Sequence, residues 1–212
     1  MKITSLEDKR ALFDFVYLFL IVLSFNIGFL ILKYYIFNKP IFDENEMSYL
    51  KIGTFISFVL VIPLLEEFCF RGIFMIPKKT IFIYPTLICI IVFILIFLKL
   101  DFKSIILITI ISILGILYVI NIANVRGNFN FFIEKHHTIL IIVSAIIFSI
   151  IHITNYESRD LETYLKLIPR LTGGLYLGYI AYKYGISKSY LMHVLNNLLP
   201  FIYLFVMRFI LK

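Results

Sequence analysis

The sequence contains no tryptophan and only two cysteines, and 16% of its residues are charged. Each scarcity closes off a class of protein. Cys69 and Cys89 both lie inside apolar runs, where a thiol behaves as a small hydrophobe, so no disulfide framework is implied and neither speaks to redox compartment. Soluble domains are about half apolar and about a quarter charged. A chain that is 61% hydrophobic, with a mean hydropathy of +0.99, cannot hide that much apolar surface in a water-soluble core. There is no H-E-x-x-H, so the compact helical zinc motif is missing. A basic patch is missing too. The net charge of +7 is spread singly or in pairs between apolar runs, which excludes nucleic acid as a partner and points to membrane lipids with an anionic surface.

What is present is a succession of apolar segments. About 20 apolar residues at 1.5 Å rise cross a bilayer core, and roughly seven segments qualify. They are 12–37, 52–76, 81–98, 104–122, 139–154, 165–182 and 189–211. The first is too long for a signal-peptide core and lacks a small-residue cleavage pattern, so it reads as a retained span. The polar joints between segments, of which 124–138 and 155–164 are among the longest, are too short for a soluble domain. The expected fold is all-α, a polytopic membrane helix bundle of about seven (6–8) transmembrane helices, built as a single transmembrane domain over 1–212. With the amino terminus cytoplasmic, nine basic residues fall inside against seven outside, a bias in the direction of the positive-inside rule. An Ile-, Phe- and Lys-rich composition suggests an AT-rich prokaryotic gene, and so a multi-pass protein of the prokaryotic plasma membrane.

Several polar residues sit where lipid forbids them. The second segment reads Val61-Ile62-Pro63-Leu64-Leu65-Glu66-Glu67-Phe68-Cys69-Phe70-Arg71-Gly72. An ionised side chain near the bilayer centre costs at least about 2.5 to 3.5 kcal/mol, so such groups face a protein interior or a water-filled cavity and mark function. Glu67 and Arg71, four residues apart on a helix, can pair, whereas Glu66 is turned about 100° away and lacks that partner. A carboxylate left unpaired in such a place is able to accept and return a proton. Pro63 frees the carbonyl of Val59 and loosens the helix one turn before the acids. The fifth segment carries Phe148 and His152, and the seventh His193 and Asn197, each pair on one helical face. A lone histidine in a span is usually a hydrogen-bonded packing residue, so these matter only where they meet the glutamates. Counted at about 1.5 Å per residue from the same membrane side, Glu67, His152, His193 and Asn197 lie roughly 16, 21, 8 and 14 Å deep, which permits one shared polar site. Gly174 and Gly178, beside Gly173, form a small-xxx-small face that lets the sixth helix approach its neighbours.

Taken in order, Glu66-Glu67-x-x-x-Arg71, Phe148-x-x-x-His152 and His193-x-x-x-Asn197 resemble the CPBP family of intramembrane proteases, which includes CAAX prenyl proteases and bacterial proteins of bacteriocin processing and self-immunity. The resemblance runs over about residues 63–199. It implies an intramembrane endopeptidase in which Glu66 is the general base on water, assisted by His152. Glu67 and Arg71 support it, His193 and Asn197 stabilise the developing oxyanion, and Phe148 contacts substrate. The family has been described both as metal-dependent and as a glutamate-type protease. A Zn ion, if bound, would fall to Glu66, His152 and His193. The pattern departs from the family in one respect. Glu67 and His152 stand 85 residues apart, about twice the usual separation, which leaves a catalytic core of about 51–79 and 138–212 and an apparent extra helical hairpin over about 81–122.

Three functions are open to such a chain. The first is hydrolysis of a peptide or lipid-modified protein at the membrane. The second is a non-proteolytic bacteriocin-immunity or peptide-binding role on the same scaffold. The third is ion-coupled transport, against which stands the lack of an inverted repeat or of a matched pair of broken helices. A short secreted or signalling peptide is a better natural substrate than a prenylated protein for a gene of this composition. Elsewhere, Asn26 reads as packing, His136 and His137 as part of a solvated joint, and Arg170 and Arg208 as side chains that snorkel to a surface.

Overall fold

The computed structural model describes residues 6–37, 55–75, 86–91, 123–156 and 159–210. Among these residues the backbone is helical apart from short connections, and it contains no strand. The bounded α-helices are α1 (Leu6–Phe37), α2 (Ile62–Arg71), α3 (Ala123–Ile151), α4 (Leu161–Leu165), α5 (Leu167–Tyr184) and α6 (Ile186–Ile210). A π-helical turn, Ser57–Val61, leads into α2, and short 3-10 turns close α2 and α3. Five of the predicted segments thus fall on helices. The third and fourth, and with them the hairpin over 81–122, lie outside the described residues except for a helical stretch at 86–91, as does the side chain of Arg208.

The joint expected over 124–138 is instead helical, because α3 continues through it with a kink at His136 (φ −112°, ψ 17°). Burial explains the extension. Ile133 is fully buried against Phe74 and Ala181, and His137 stacks on the Tyr182 ring at 4.2 Å and 6° while its Nδ1 meets the Glu134 carbonyl. His136 turns to Phe132 instead, so the two imidazoles diverge. The end of the joint expected over 155–164 is also helical, since Asp160 caps the Thr163 amide (2.9 Å) to start α4.

The central element is α5. One face packs on α3 through the predicted glycines: a Cβ on Gly174 would lie 3.1 Å from the Ala145 backbone, and one on Gly178 would lie 3.0 Å from Ile141. Gly173 faces open space. On its other side Tyr176, Leu177 and Ile180 receive Phe15, Leu18, Phe19 and Val22 of α1. Thr172 donates to Asn26 (3.3 Å), and Asp14 accepts from Tyr179, Lys183 and Tyr184. Gly185, at φ 95°, is in a region costly for any other residue, and it reverses the chain into α6. There Ser189 donates to the Leu177 carbonyl (2.9 Å).

The outer faces are apolar. Exposed Phe13, Tyr17, Leu20, Ile139, Val143 and Ile147 form rows along α1 and α3 that water would not tolerate and acyl chains would. Among the described residues one helix, Asn130–Asn155, is long and apolar enough to cross a membrane.

Candidate active site

The site begins at Pro63, which has no N–H for the helix. The loosening expected before the acids takes the form of the π turn, in which Ile62 N–H bonds Ser57 O, so in that register the carbonyl facing Pro63 belongs to Phe58 rather than Val59. Asn197 of α6 supplies the missing donor, its Nδ2 lying 3.0 Å from Phe58 O, and the Tyr190 hydroxyl donates to Leu60 O at 3.2 Å. Two side chains of α6 thereby hold the irregular turn that sets α2 in place.

One turn on, Glu67 and Arg71 are fully buried, with Arg71 Nη1 donating to Glu67 Oε1 at 2.6 Å. His193 Nδ1 reaches the same oxygen at 2.8 Å. A carboxylate only accepts, so Nδ1 carries the proton and the lone pair of neutral His193 is on Nε2. That nitrogen points at Glu66 Oε2, 3.4 Å away. His152, in the 3-10 turn that closes α3, repeats the pattern. Its Nδ1 donates to the Phe148 carbonyl at 2.7 Å, and its Nε2 faces Glu66 Oε1 at 3.6 Å.

Glu66 therefore has an imidazole lone pair from a different helix opposite each of its oxygens, and it accepts no hydrogen bond from a described residue. Both gaps exceed the 2.7 to 3.2 Å of a direct bond. Acceptor facing acceptor is stable only when a proton is supplied, by a water between them or by protonation of one partner.

Phe148 floors the cluster. Its buried ring lies 4.5 Å from that of His152, 5.3 Å from Phe70 and 6.1 Å from His193, and its face carries the Arg71 guanidinium at 4.7 Å. Such a cation over an aromatic face is worth about 2 kcal/mol when desolvated. The Ser144 hydroxyl, donating to Phe70 O at 2.6 Å, ties α3 to the end of α2. Gly72 allows residues 86–91 to close in, since a Cβ there would strike Thr86 Oγ1 at 2.0 Å. Cys69 and Cys89 meet across the same contact, both as free thiols.

The structure thus brings together Glu66, Glu67, Arg71, His152 and His193, with Phe148 beneath them, and sets Asn197 one step away on the π turn. Among the described residues, no three His, Cys, Asp or Glu side chains are arranged to hold a metal ion, so the set Glu66, His152 and His193 does not fit Zn here. Sequence reading passed over Asp14. Its signal was a single carboxylate two residues inside the first apolar segment, with Lys183 at the end of the sixth to meet it.

A family model described as Type II CAAX prenyl endopeptidase Rce1-like matches residues 48–199 and so encloses all three motifs. No curated protein and no solved structure matches the chain.

Proposed function

Because the chain belongs to the Rce1-like type II CAAX prenyl endopeptidase family, whose members are membrane-embedded proteases, we propose that it is an intramembrane endopeptidase in which Glu66 activates water together with His152. The observation that carries this reading is the pair of imidazole Nε2 atoms, from two different helices, set 3.6 and 3.4 Å from the two oxygens of Glu66. A water between Glu66 and His152 offers one O–H to each acceptor. As its oxygen adds to the peptide carbonyl, its proton passes to Glu66. His193, having taken a proton from solvent before the substrate binds, is an imidazolium whose Nε2 donates to the developing oxyanion, with Glu67 balancing the charge at Nδ1. Asn197 keeps its second amide hydrogen for the same oxygen. The proton held on Glu66 then moves to the peptide nitrogen, the C–N bond breaks to give an acid and an amine, and the acid passes its remaining water-derived proton to His152 and leaves as a carboxylate. No step is assigned to a metal ion.

In this scheme Phe148 acts through the groups it supports, because its ring is enclosed by Arg71, His152 and His193 rather than open to a substrate. The chain crosses the bilayer about seven times as a single domain over 1–212 in a prokaryotic plasma membrane. Its core comprises about 51–79 and 138–212. Its substrate is a short peptide or lipid-modified protein held at the membrane.

The test is cleavage by purified protein in nanodiscs, read by mass spectrometry, of an S-farnesylated peptide of C-a-a-X form and of a panel of short apolar peptides. Wild type cleaves at least one. Glu66→Gln and His152→Ala reduce that turnover by about 10²- to 10⁴-fold while melting as the wild type does. Undiminished turnover in both variants rejects the reading.

A further inference from the structure

The site described above leaves one nearby cation without an assignment. Helices α3 and α5 run antiparallel, and their contacts fix the register between them. Ser149 Oγ donates to the Leu167 carbonyl at 2.8 Å, and further along α5 Gly174 lies against Ala145 and Phe148. Arg170 is one turn before Gly174 on the same stripe, which puts it level with Phe148 and the last turn of α3. Helical side chains lean toward the amino end of their helix, which sends this one toward the end of α3 where His152 stands. Its charge is close enough to act on both Glu66 and His152. Arg170 is nevertheless exposed and makes no hydrogen bond or ion pair with a described residue. The other cation of the site, Arg71, is buried and committed to Glu67.

Snorkelling accounts for the exposure of Arg170 but not for its position beside the catalytic groups. An exposed guanidinium on the turn of α5 level with the end of α3 presents a planar fork of donors that matches a carboxylate in two-point geometry. A lipid phosphate would also suit the fork, but a headgroup held there would block the approach to Glu66.

We propose that Arg170 is a specificity-determining residue that binds a carboxylate carried by the peptide close to the scissile bond, either a C-terminal carboxylate or an Asp or Glu side chain. The proposal rests on the proteolytic reading of the site, and it assigns substrate selection to a residue outside the three motifs.

Binding is measured without turnover, on full-length Glu66→Gln protein in phosphatidylcholine nanodiscs. The probe is a fluorescent S-farnesylated C-a-a-X peptide in three forms: free acid, C-terminal amide, and amide with an Asp next to the modified cysteine. The expected result is that the acid or the Asp-bearing amide binds at least about tenfold tighter than the plain amide, as a charge-assisted pair allows. Which of the two gains identifies the source of the carboxylate. Adding Arg170→Gln should collapse the ratio to within about twofold, and Arg170→Lys should keep part of it, since an ammonium supplies charge without the fork. Equal binding of the three forms, no binding of any, or a preference that survives Arg170→Gln overturns the proposal. So does an Arg170 dependence that appears only when phosphatidylglycerol is added, which assigns the guanidinium to a headgroup. The two readings fail separately. Carboxylate preference without cleavage by wild type removes the protease alone, and cleavage without preference removes the role of Arg170 alone.

Discussion

Asp14 and Glu66 are each faced by side chains from another helix, and they are treated in opposite ways. Asp14 receives Tyr179 at 2.9 Å and Lys183 and Tyr184 at 2.5 Å, all on one oxygen. Among the described residues, Glu66 has no polar partner closer than the two imidazole nitrogens at 3.4 and 3.6 Å, which in the neutral rings turn their lone pairs toward it. The first is saturated with donors and can only hold α1 against α5. The second is surrounded by acceptors and must borrow a proton, which is the condition for activating water. Proximity of opposite charges therefore does not identify a catalytic acid; the balance of donors against acceptors around it does.

The comparison breaks most sharply at Glu66. Glu66→Gln is expected to lower turnover by about 10²- to 10⁴-fold, because the amide keeps the shape and loses the base. Arg71→Ala comes next. It leaves Glu67 charged, buried and supported only by His193, and the expected loss is about 3 to 5 kcal/mol of stability, read as a fall in melting temperature in detergent. Asp14→Asn is the matching change at the saturated site. It should cost only about 1 kcal/mol, since Lys183 is partly exposed and screened, and should leave kcat within about twofold of wild type. A kcat loss as large as that of Glu66→Gln would erase the distinction between the two carboxylates. The smallest expected effect is that of a chelator. Dialysis against it should leave turnover unchanged, whereas a loss restored by Zn²⁺ would reassign the two Nε2 atoms as metal ligands.

Much of this arrangement was legible in the residues. Pro63 announced a loosened turn, Glu67 and Arg71 announced their pair by spacing, and Gly174 and Gly178 announced a close helix contact, because each depends on local chain geometry. The meeting of His152 and His193 on Glu66 was only permitted by sequence, since depth along a helix says nothing of rotation about its axis. The extension of α3 through 124–138 was missed because burial of Ile133 and stacking of His137 on Tyr182 are tertiary contacts that override a polar local composition. Asp14 was missed for a related reason, as its three partners lie more than 160 residues away in the chain. Arg170 read as a side chain that snorkels to a surface; that it is exposed beside the end of α3 depends on the register of α3 and α5.

The claim that Glu66 and His152 work on one water is tested most directly by single-turnover rates of Glu66→Gln, His152→Ala and the double variant. Groups acting as a unit lose their effect together, so the double variant should be no slower than the slower single one. Losses that multiply, or a Glu66→Gln protein that cleaves at the wild-type rate, would contradict it.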